Sequence, residues 1–171
     1  MRVLQGTGVS PGVNIGKPIN IERTLDFSIS AIISLDEGIK ELTAKYKSKI
    51  EKYNSSSREI EAEVLEAYIL ILNDPELINS LSELNEANLE KIYDVFLEQS
   101  EVFKQMDDEY FQQRSEDIEA IGKELIFTLQ DISIEFDEDV PQVVFANELT
   151  PNETSSTVSY THLTLPTTPY V

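Results

Sequence analysis

Residues 34–129 contain five consecutive segments with helical signals, and this run constrains the fold more than any other feature. Ser34 and Glu37 have the spacing of a capping box, which satisfies two backbone N–H groups at a helix start. Further helix starts are predicted after a break at residues 54–57, at Asp74–Pro75, near Asn88 and after Asp107–Asp108. The short links between the segments favour an antiparallel helical-hairpin bundle. The apolar stripe of the first segment is Leu35, Ile39, Leu42, Tyr46, Ile50 and Tyr53.

The segments on either side of this run have the pattern of strands. Four of the six glycines lie in residues 2–21, and the alternation over Asn14–Ile21 predicts a half-buried strand. Pro18 favours a position at a sheet edge or a bulge. Gln142–Ala146 is a candidate for a second, buried strand. The sequence therefore predicts a helical bundle inserted between a strand region and a returning strand.

The acidity of the chain is concentrated in one segment. The net charge is −19, from 32 acidic and 13 basic residues. Residues 59–139 hold 24 of the acids and four of the bases, a net charge of −20. Such a surface repels nucleic acid and anionic lipid and attracts basic proteins. A solvated helical face with no partner would have the same composition.

Composition excludes several kinds of chemistry. The chain has no Cys and one His, which excludes disulfides, thiolate metal sites and multi-histidine metal sites. The start has no signal-peptide pattern, and the longest apolar run, Tyr68–Leu72, is too short to cross a bilayer. We therefore expect a cytoplasmic protein with no metal or cofactor site in this chain. The glycines Gly6, Gly8 and Gly12 lack the Lys-Ser/Thr ending of a phosphate loop, so turn glycines explain them better.

The second helical segment is apolar on more than one side. Val64, Tyr68, Ile71 and Leu72 can form one stripe, whereas Leu65, Ile69 and Leu70 lie off it. Either two sides are packed in the bundle, or one side is a partner surface. An apolar patch with a charged rim suits a transient protein interface, although these residues taken alone favour packing. The acids available for a rim are Glu59, Glu63, Glu66, Asp74 and Glu76.

Two other features have ordinary structural explanations. Arg114 and Asp117 lie three residues apart on the fifth segment, the spacing of an intrahelical ion pair. Arg114 is one of four bases in the acidic segment, so a positional role stays open. His162 is the single imidazole, and an exposed tail residue explains it better than a phosphoryl carrier.

Four phrases, in order over residues 1 to about 155, resemble Enzyme I of the phosphoenolpyruvate:sugar phosphotransferase system. The first is the Ser-Pro-Gly opening, Gly8–Lys17, and the second is the glutamate-rich helix and turn, Glu66–Leu77. The third, Asp107–Lys123, resembles the Asp-Asp-Glu-Tyr, Arg and Ile-Gly-Lys run of the family. The fourth, Val143–Thr154, resembles its returning strand and Leu-Thr-Pro-x-Glu-Thr motif.

This resemblance implies an α+β fold, in which an antiparallel helical-hairpin bundle is inserted into a partial swivelling phosphohistidine α/β domain. Enzyme I passes a phosphoryl group from phosphoenolpyruvate through a histidine to the carrier protein HPr, for sugar uptake. The implied parts are residues 1–33 and 138–156 of the α/β domain, and residues 34–137 as the HPr-binding subdomain. The implied HPr contacts are Glu59, Glu63, Tyr68, Leu70, Ile71, Asp74, Glu76, Leu77 and Arg114, and Thr154 would lie near the active site.

The sequence departs from the family at several points. The family usually has His where Tyr68 stands, and an Arg-Asp pair where Glu119-Ala120 stand. Its Gly-Gly-x-Thr-Ser-His motif has no match, and His162, eight residues after Thr154, is not equivalent to the phosphorylated histidine. The family's Mg²⁺-binding barrel is also unmatched. Residues 157–171 are unlike the family and resemble translated sequencing-adapter read-through, so we interpret them as a non-native tail.

We therefore expect a truncated, monomeric member of an enzyme family that docks HPr but is inactive alone, since it has no catalytic residue of its own. Two alternatives stay open. One is a non-catalytic helical adaptor with no phosphotransferase ancestry, which would explain the helices and the acidity. The other is a related multidomain phosphotransferase, such as a nitrogen-branch paralogue or the phosphoryl donor subunit of a dihydroxyacetone kinase.

Overall fold

The structure is a computed structural model, and it describes residues 15–21, 24–84, 88–133, 140–146, 149 and 153. The chain divides into two compact units. One is Thr24–Ile134, and the other joins Met1–Arg23 with Glu135–Val171. The predicted residues Thr154 and His162 lie outside the described residues.

The described residues form five helices and two strands, so the chain is mostly helical with a small sheet. In chain order the elements are β1 (Lys17–Ile21), α1 (Leu35–Ser55), α2 (Glu59–Leu72), α3 (Pro75–Ser82), α4 (Leu89–Lys104), α5 (Glu109–Leu129) and β2 (Gln142–Ala146).

Local signals set the helix starts, as the sequence predicts. The Ser34 hydroxyl accepts from the Glu37 N–H, and the Glu37 carboxylate accepts from the Ser34 N–H, which completes the capping box of α1. The Asp74 side chain caps α3, where Pro75 takes the first helical position. The Asn88 side chain accepts from the Lys91 N–H and caps α4.

The helices pack as two hairpin pairs around one apolar core. Helix α1 packs on α2, α4 packs on α5, and α5 also contacts α1 and α2. The fully buried members of the core include Leu42 and Tyr46 of α1, Leu65 and Leu72 of α2, and Phe96 of α4.

Residues 24–33 belong to the helical unit, although the sequence analysis begins that unit at residue 34. The Ile32 N–H donates to the Leu129 carbonyl over 2.7 Å. The Gln130 amide nitrogen donates to the carbonyls of Asp26 and Ile29, over 2.8 and 2.9 Å. These bonds join the segment to the end of α5, and residues so far apart in sequence leave no local pattern that predicts them.

The second unit contains the two predicted strands. They pair in parallel, with Lys17 opposite Gln142 and Ile21 opposite Ala146. Parallel neighbours require a long connection between them, and here the chain between the two strands contains all five helices. The predicted bounds of β2 are confirmed, but the prediction that it is buried is wrong. Its residues are only partly buried, and Phe145 is 45% exposed.

Candidate functional site

Helix α2 faces the core with a different stripe from the one the sequence favours. Leu65, Tyr68 and Leu72 are buried, whereas Val64 and Ile71 are only partly buried. The prediction that Leu65 lies off the buried stripe is therefore wrong. Several apolar positions at helical spacing allow more than one stripe, and packing against α1 and α5 selects the one that includes Leu65.

The opposite side of α2 is an exposed face with apolar side chains. Ile60 and Leu70 are 77% and 74% exposed. Ile60, Glu63, Ala67 and Leu70 follow one another at spacings of three and four, so they share one side of the helix. At the next turn Asp74 caps α3, which adds the exposed residues Glu76 and Ile78. We call this set, Ile60, Glu63, Ala67, Leu70, Asp74, Glu76 and Ile78, the α2–α3 face.

The charged residues of the segment that carries this face are all acidic. Residues 59–83 contain no Lys or Arg. Glu59 and Glu63 are exposed, and Asp74 accepts from the backbone N–H groups of Glu76 and Leu77 over 2.9 and 3.1 Å. An apolar centre with a charged rim is typical of transient protein interfaces. The acids of residues 59–83 are Glu59, Glu61, Glu63, Glu66, Asp74, Glu76 and Glu83.

The structure separates the predicted contact residues into three groups. Glu59, Glu63, Leu70, Asp74 and Glu76 are exposed on α2 and α3 or on the turn between them. Ile71 and Arg114 are partly exposed. Tyr68 and Leu77 have no exposed surface.

The expectation that Tyr68 and Leu77 contact a partner is therefore corrected. Both are core residues, because Leu77 is on the inner side of the short helix α3 and Tyr68 packs against Tyr46 with ring centroids 5.7 Å apart. In this structure they support the face from beneath rather than form it. Ile60 and Ile78 are the exposed apolar residues that the sequence analysis missed, although Ile60 has the helical spacing to Ala67 and Leu70 that could have identified it.

A polar network links α2 to α5 behind this face. The Tyr68 hydroxyl donates to Oδ1 of Asp117 over 2.8 Å, and Arg114 Nη1 donates to Oδ2 of the same carboxylate over 2.8 Å. Burial, followed by the charge of Asp117, raises the pKa of Tyr68 above its ordinary value of 10.0, so the hydroxyl stays a donor. The predicted Arg114–Asp117 ion pair is confirmed, but its connection to Tyr68 was not anticipated.

A second buried bond joins α1 to α5. The Tyr46 hydroxyl donates to the carboxylate of Glu124 over 3.0 Å, and both side chains are buried. Burial and the neighbouring Glu124 charge raise the pKa of Tyr46. Each tyrosine thus connects its own helix to α5, Tyr46 from α1 and Tyr68 from α2, through a hydrogen bond from its hydroxyl to a carboxylate.

Glu119, where the resemblance leads one to expect Arg, joins α4 to α5. Its carboxylate accepts from Lys104 Nζ over 2.7 Å and from the Ser100 hydroxyl over 3.1 Å. The hydrogen bond from Lys104 lowers the pKa of Glu119. This departure from the family pattern therefore has a structural role within the helical unit.

In the described part of the chain, no group of three His, Cys, Asp or Glu side chains could hold a metal ion. Nor does any described helix combine the length and apolar character that a membrane span requires.

Together these features define a helical unit whose acidic surface has an apolar centre, and a second unit with a small parallel sheet. Residues 5–114 match the family model "PEP-utilising enzyme, N-terminal". The chain belongs to this family of phosphoenolpyruvate-utilising enzymes.

The chain is also similar to curated proteins named phosphoenolpyruvate-protein phosphotransferase. The phosphoenolpyruvate-protein phosphotransferase of Priestia megaterium is 29% identical over 171 residues, covering 89% of this chain and 29% of that protein. The protein of the same name from Enterococcus faecalis is 27% identical over 173 residues, covering 90% of this chain and 29% of its own length. The chain thus spans less than a third of the length of these relatives.

Two solved structures share the fold. An NMR solution structure of Enzyme I matches with a TM-score of 0.60 and 22% identity, over 90% of this chain and 68% of that one. The N-terminal domain of Enzyme 1 - Nitrogen matches with a TM-score of 0.63 and 20% identity, over 89% of this chain and 68% of that one. The predicted resemblance to the N-terminal part of Enzyme I is confirmed, and family membership favours it over an adaptor of other ancestry.

Proposed function

We propose that this chain is the part of a phosphoenolpyruvate-protein phosphotransferase that docks the phosphocarrier HPr, and that the α2–α3 face is the docking surface. One observation supports this proposal most strongly. Ile60 and Leu70 are 77% and 74% exposed, and they lie in residues 59–83, which contain no basic residue. The proposal places the chain in the cytoplasm and in sugar uptake, as the family resemblance implies.

The face can contribute to docking in two physical ways. Its carboxylates attract a basic partner over about one Debye length, roughly 8–10 Å at physiological salt, which raises the rate of encounter. On contact, Leu70 and Ile60 bury apolar surface. This burial stabilises the complex by about 25 cal/mol per Å² before the costs of association are subtracted. The exposed acids mainly steer and orient, while the apolar centre slows dissociation.

We further propose that this chain docks the carrier without transferring a phosphoryl group. Phosphoryl transfer through the family's histidine needs that histidine, and the single His162 lies outside the Gly-Gly-x-Thr-Ser-His pattern. What the chain's residues supply is orientation of the partner, which converts an encounter into a productive geometry in a complete enzyme. The resemblance implies that phosphoenolpyruvate, Mg²⁺ and catalytic turnover belong to parts of the family's enzymes that this chain does not match.

A titration of ¹⁵N-labelled HPr with the unlabelled chain tests the docking proposal. We expect shifts around the phosphorylated histidine of HPr, with an affinity that falls as salt rises. The absence of HPr shifts, with the chain shown to be folded by circular dichroism, would contradict the proposal.

A pair of matched variants tests the location of the surface. Leu70→Ala removes an apolar side chain from the α2–α3 face, and Val102→Ala removes another, 57% exposed on α4. We expect Leu70→Ala to weaken HPr binding by about tenfold, the effect of truncating an interface anchor of about 1–2 kcal/mol. Val102→Ala should bind as the wild type does. Equal affinities of the two variants would exclude this face.

A further inference from the structure

The carboxylate of Asp117 is shared between a buried residue of α2 and a partly exposed cation of α5. Its Oδ1 accepts from the Tyr68 hydroxyl and its Oδ2 from Arg114 Nη1, each over 2.8 Å. The side chain of Asp117 is 16% exposed and that of Arg114 is 28% exposed. The carboxylate is thus fixed from both sides, and one of its two partners reaches the surface.

We propose that Tyr68 and Asp117 are positioning residues that hold the guanidinium of Arg114 in register with α2. The inference rests on the proposed docking function and on the resemblance, which implies that Arg114 contacts the partner. It predicts that Tyr68 affects partner binding although it is buried and cannot touch the partner. A carboxylate held by one partner can rotate, whereas one held through both oxygens by two partners presents its cation in one orientation.

The placement of the network supports a positioning role. Tyr68 is on the inner side of α2, and the exposed Leu70 is two residues further along the same helix. The hydrogen bond to Asp117 therefore ties the helix that carries the face to the helix that carries Arg114. Helices α2 and α5 pack directly on each other. The bond between Tyr68 and Asp117 therefore restricts the rotation of α2 about its own axis near Leu70.

The chain supplies a matched control for this inference. Tyr46 also donates a buried hydroxyl to a carboxylate of α5, over 3.0 Å to Glu124, and its ring contacts the ring of Tyr68. Tyr46→Phe and Tyr68→Phe therefore remove the same chemical group from neighbouring positions in the core. Only Tyr68→Phe removes a bond from the carboxylate that holds Arg114.

The first measurement is made on the free chain. The rate at which the Arg114 guanidinium rotates about its Nε–Cζ bond is measured by ¹⁵N exchange NMR, since the chain has only four arginines to assign. We expect faster rotation in Tyr68→Phe than in the wild type, and an unchanged rate in Tyr46→Phe. Unchanged rotation in Tyr68→Phe, or equal acceleration in both variants, would overturn the inference.

The second measurement is the affinity for HPr. We expect Tyr68→Phe to bind about three- to tenfold more weakly, the range of coupling between residues in one network, and Tyr46→Phe to bind as the wild type does. Equal affinities of the two variants would overturn the inference. If Tyr68→Phe does not fold, Asp117→Asn tests the other proposed positioning residue in both measurements, and unchanged rotation and affinity in that variant would overturn the inference. If the wild type does not bind HPr, the docking function fails, while the rotation rates still decide whether Tyr68 positions Arg114.

Discussion

The ammonium group of Lys49 on α1 is partly buried, and this burial lowers its pKa from 10.5 to about 8. Glu124 raises the pKa, while Lys45 and Lys52 lower it further. Because the pKa is lower in the folded chain, the unfolded chain binds more protons between about pH 8 and 10.5, and stability rises with pH across that window.

Replacement of Lys49 tests this linkage. We expect the free energy of unfolding of Lys49→Met to rise less steeply than that of the wild type from about pH 8 upward, because the variant has no ammonium group to discharge. Urea denaturation at several pH values measures the two slopes. Parallel curves for the two proteins would show that the burial of Lys49 does not shift its pKa.

Leu70 and Leu77 are the same residue type in opposite environments. Leu77 is fully buried and Leu70 is 74% exposed. We expect Leu77→Ala to lower the free energy of unfolding by about 2–5 kcal/mol and Leu70→Ala to change it by less than about 0.5 kcal/mol. Urea denaturation of both variants measures the difference. Similar losses in the two variants would mean that α3 does not bury Leu77.

For single residues, the sequence identifies side chains at the face and beneath it, but it does not predict which of them are buried. Tyr68, Leu70 and Leu77 are all predicted partner contacts by the resemblance, but only Leu70 is exposed. The apolar residues of α2 are dense enough to allow several stripes, so burial is decided by contacts with α1 and α5 rather than by spacing. The bond from Tyr68 to Asp117 spans 49 residues of sequence, and no local pattern indicates it.

Helices α4 and α5 approach closely at Gly122. A Cβ on Gly122 would lie 2.8 Å from both Cβ and Cγ of Phe96, whereas a Cβ on Gly38 of α1 would lie 2.6 Å from the mobile Cδ2 of Leu129. Phe96 cannot move its Cβ without moving the backbone of α4, but Leu129 can rotate its side chain. The close contact of α4 and α5 therefore depends on a glycine at position 122.

Alanine at the two glycines should have unequal effects. Alanine is favoured over glycine inside a helix by about 1 kcal/mol, while overpacking costs about 1–3 kcal/mol. We expect Gly122→Ala to lower the midpoint of thermal unfolding and Gly38→Ala to change it less. A higher midpoint in Gly122→Ala than in the wild type would contradict the close packing of α4 on α5.

Elements with local signals are the ones that the sequence predicts well. The starts of α1, α3 and α4 follow from Ser34, Asp74 and Asn88, because a cap acts within three residues of itself. The attachment of residues 24–33 is different, since Gln130 reaches carbonyls 101 and 104 residues earlier in the chain. Long-range bonds of this kind determine where the helical unit begins in the sequence, and no local sequence pattern predicts them.

At the scale of the whole molecule, the uneven charge distribution agrees with a docking function. Nine of the 13 basic residues precede residue 59, while the α2–α3 face lies in a stretch without any. The sequence predicts this segregation and the family, because both are visible in residue identities and their order. It does not distinguish a solvated acidic surface from a docking surface, since the two differ in which apolar side chains remain exposed.

We propose that α2 and α3 form the surface that binds the phosphocarrier. Adding unlabelled HPr to the ¹⁵N-labelled chain and mapping which backbone amides shift measures the location of that surface. We predict shifts concentrated at residues 59–83 and around Arg114, smaller at high salt and absent from the exposed side of α4 near Val102. Shifts confined to other helices, or none from a chain shown to be folded, would contradict the claim.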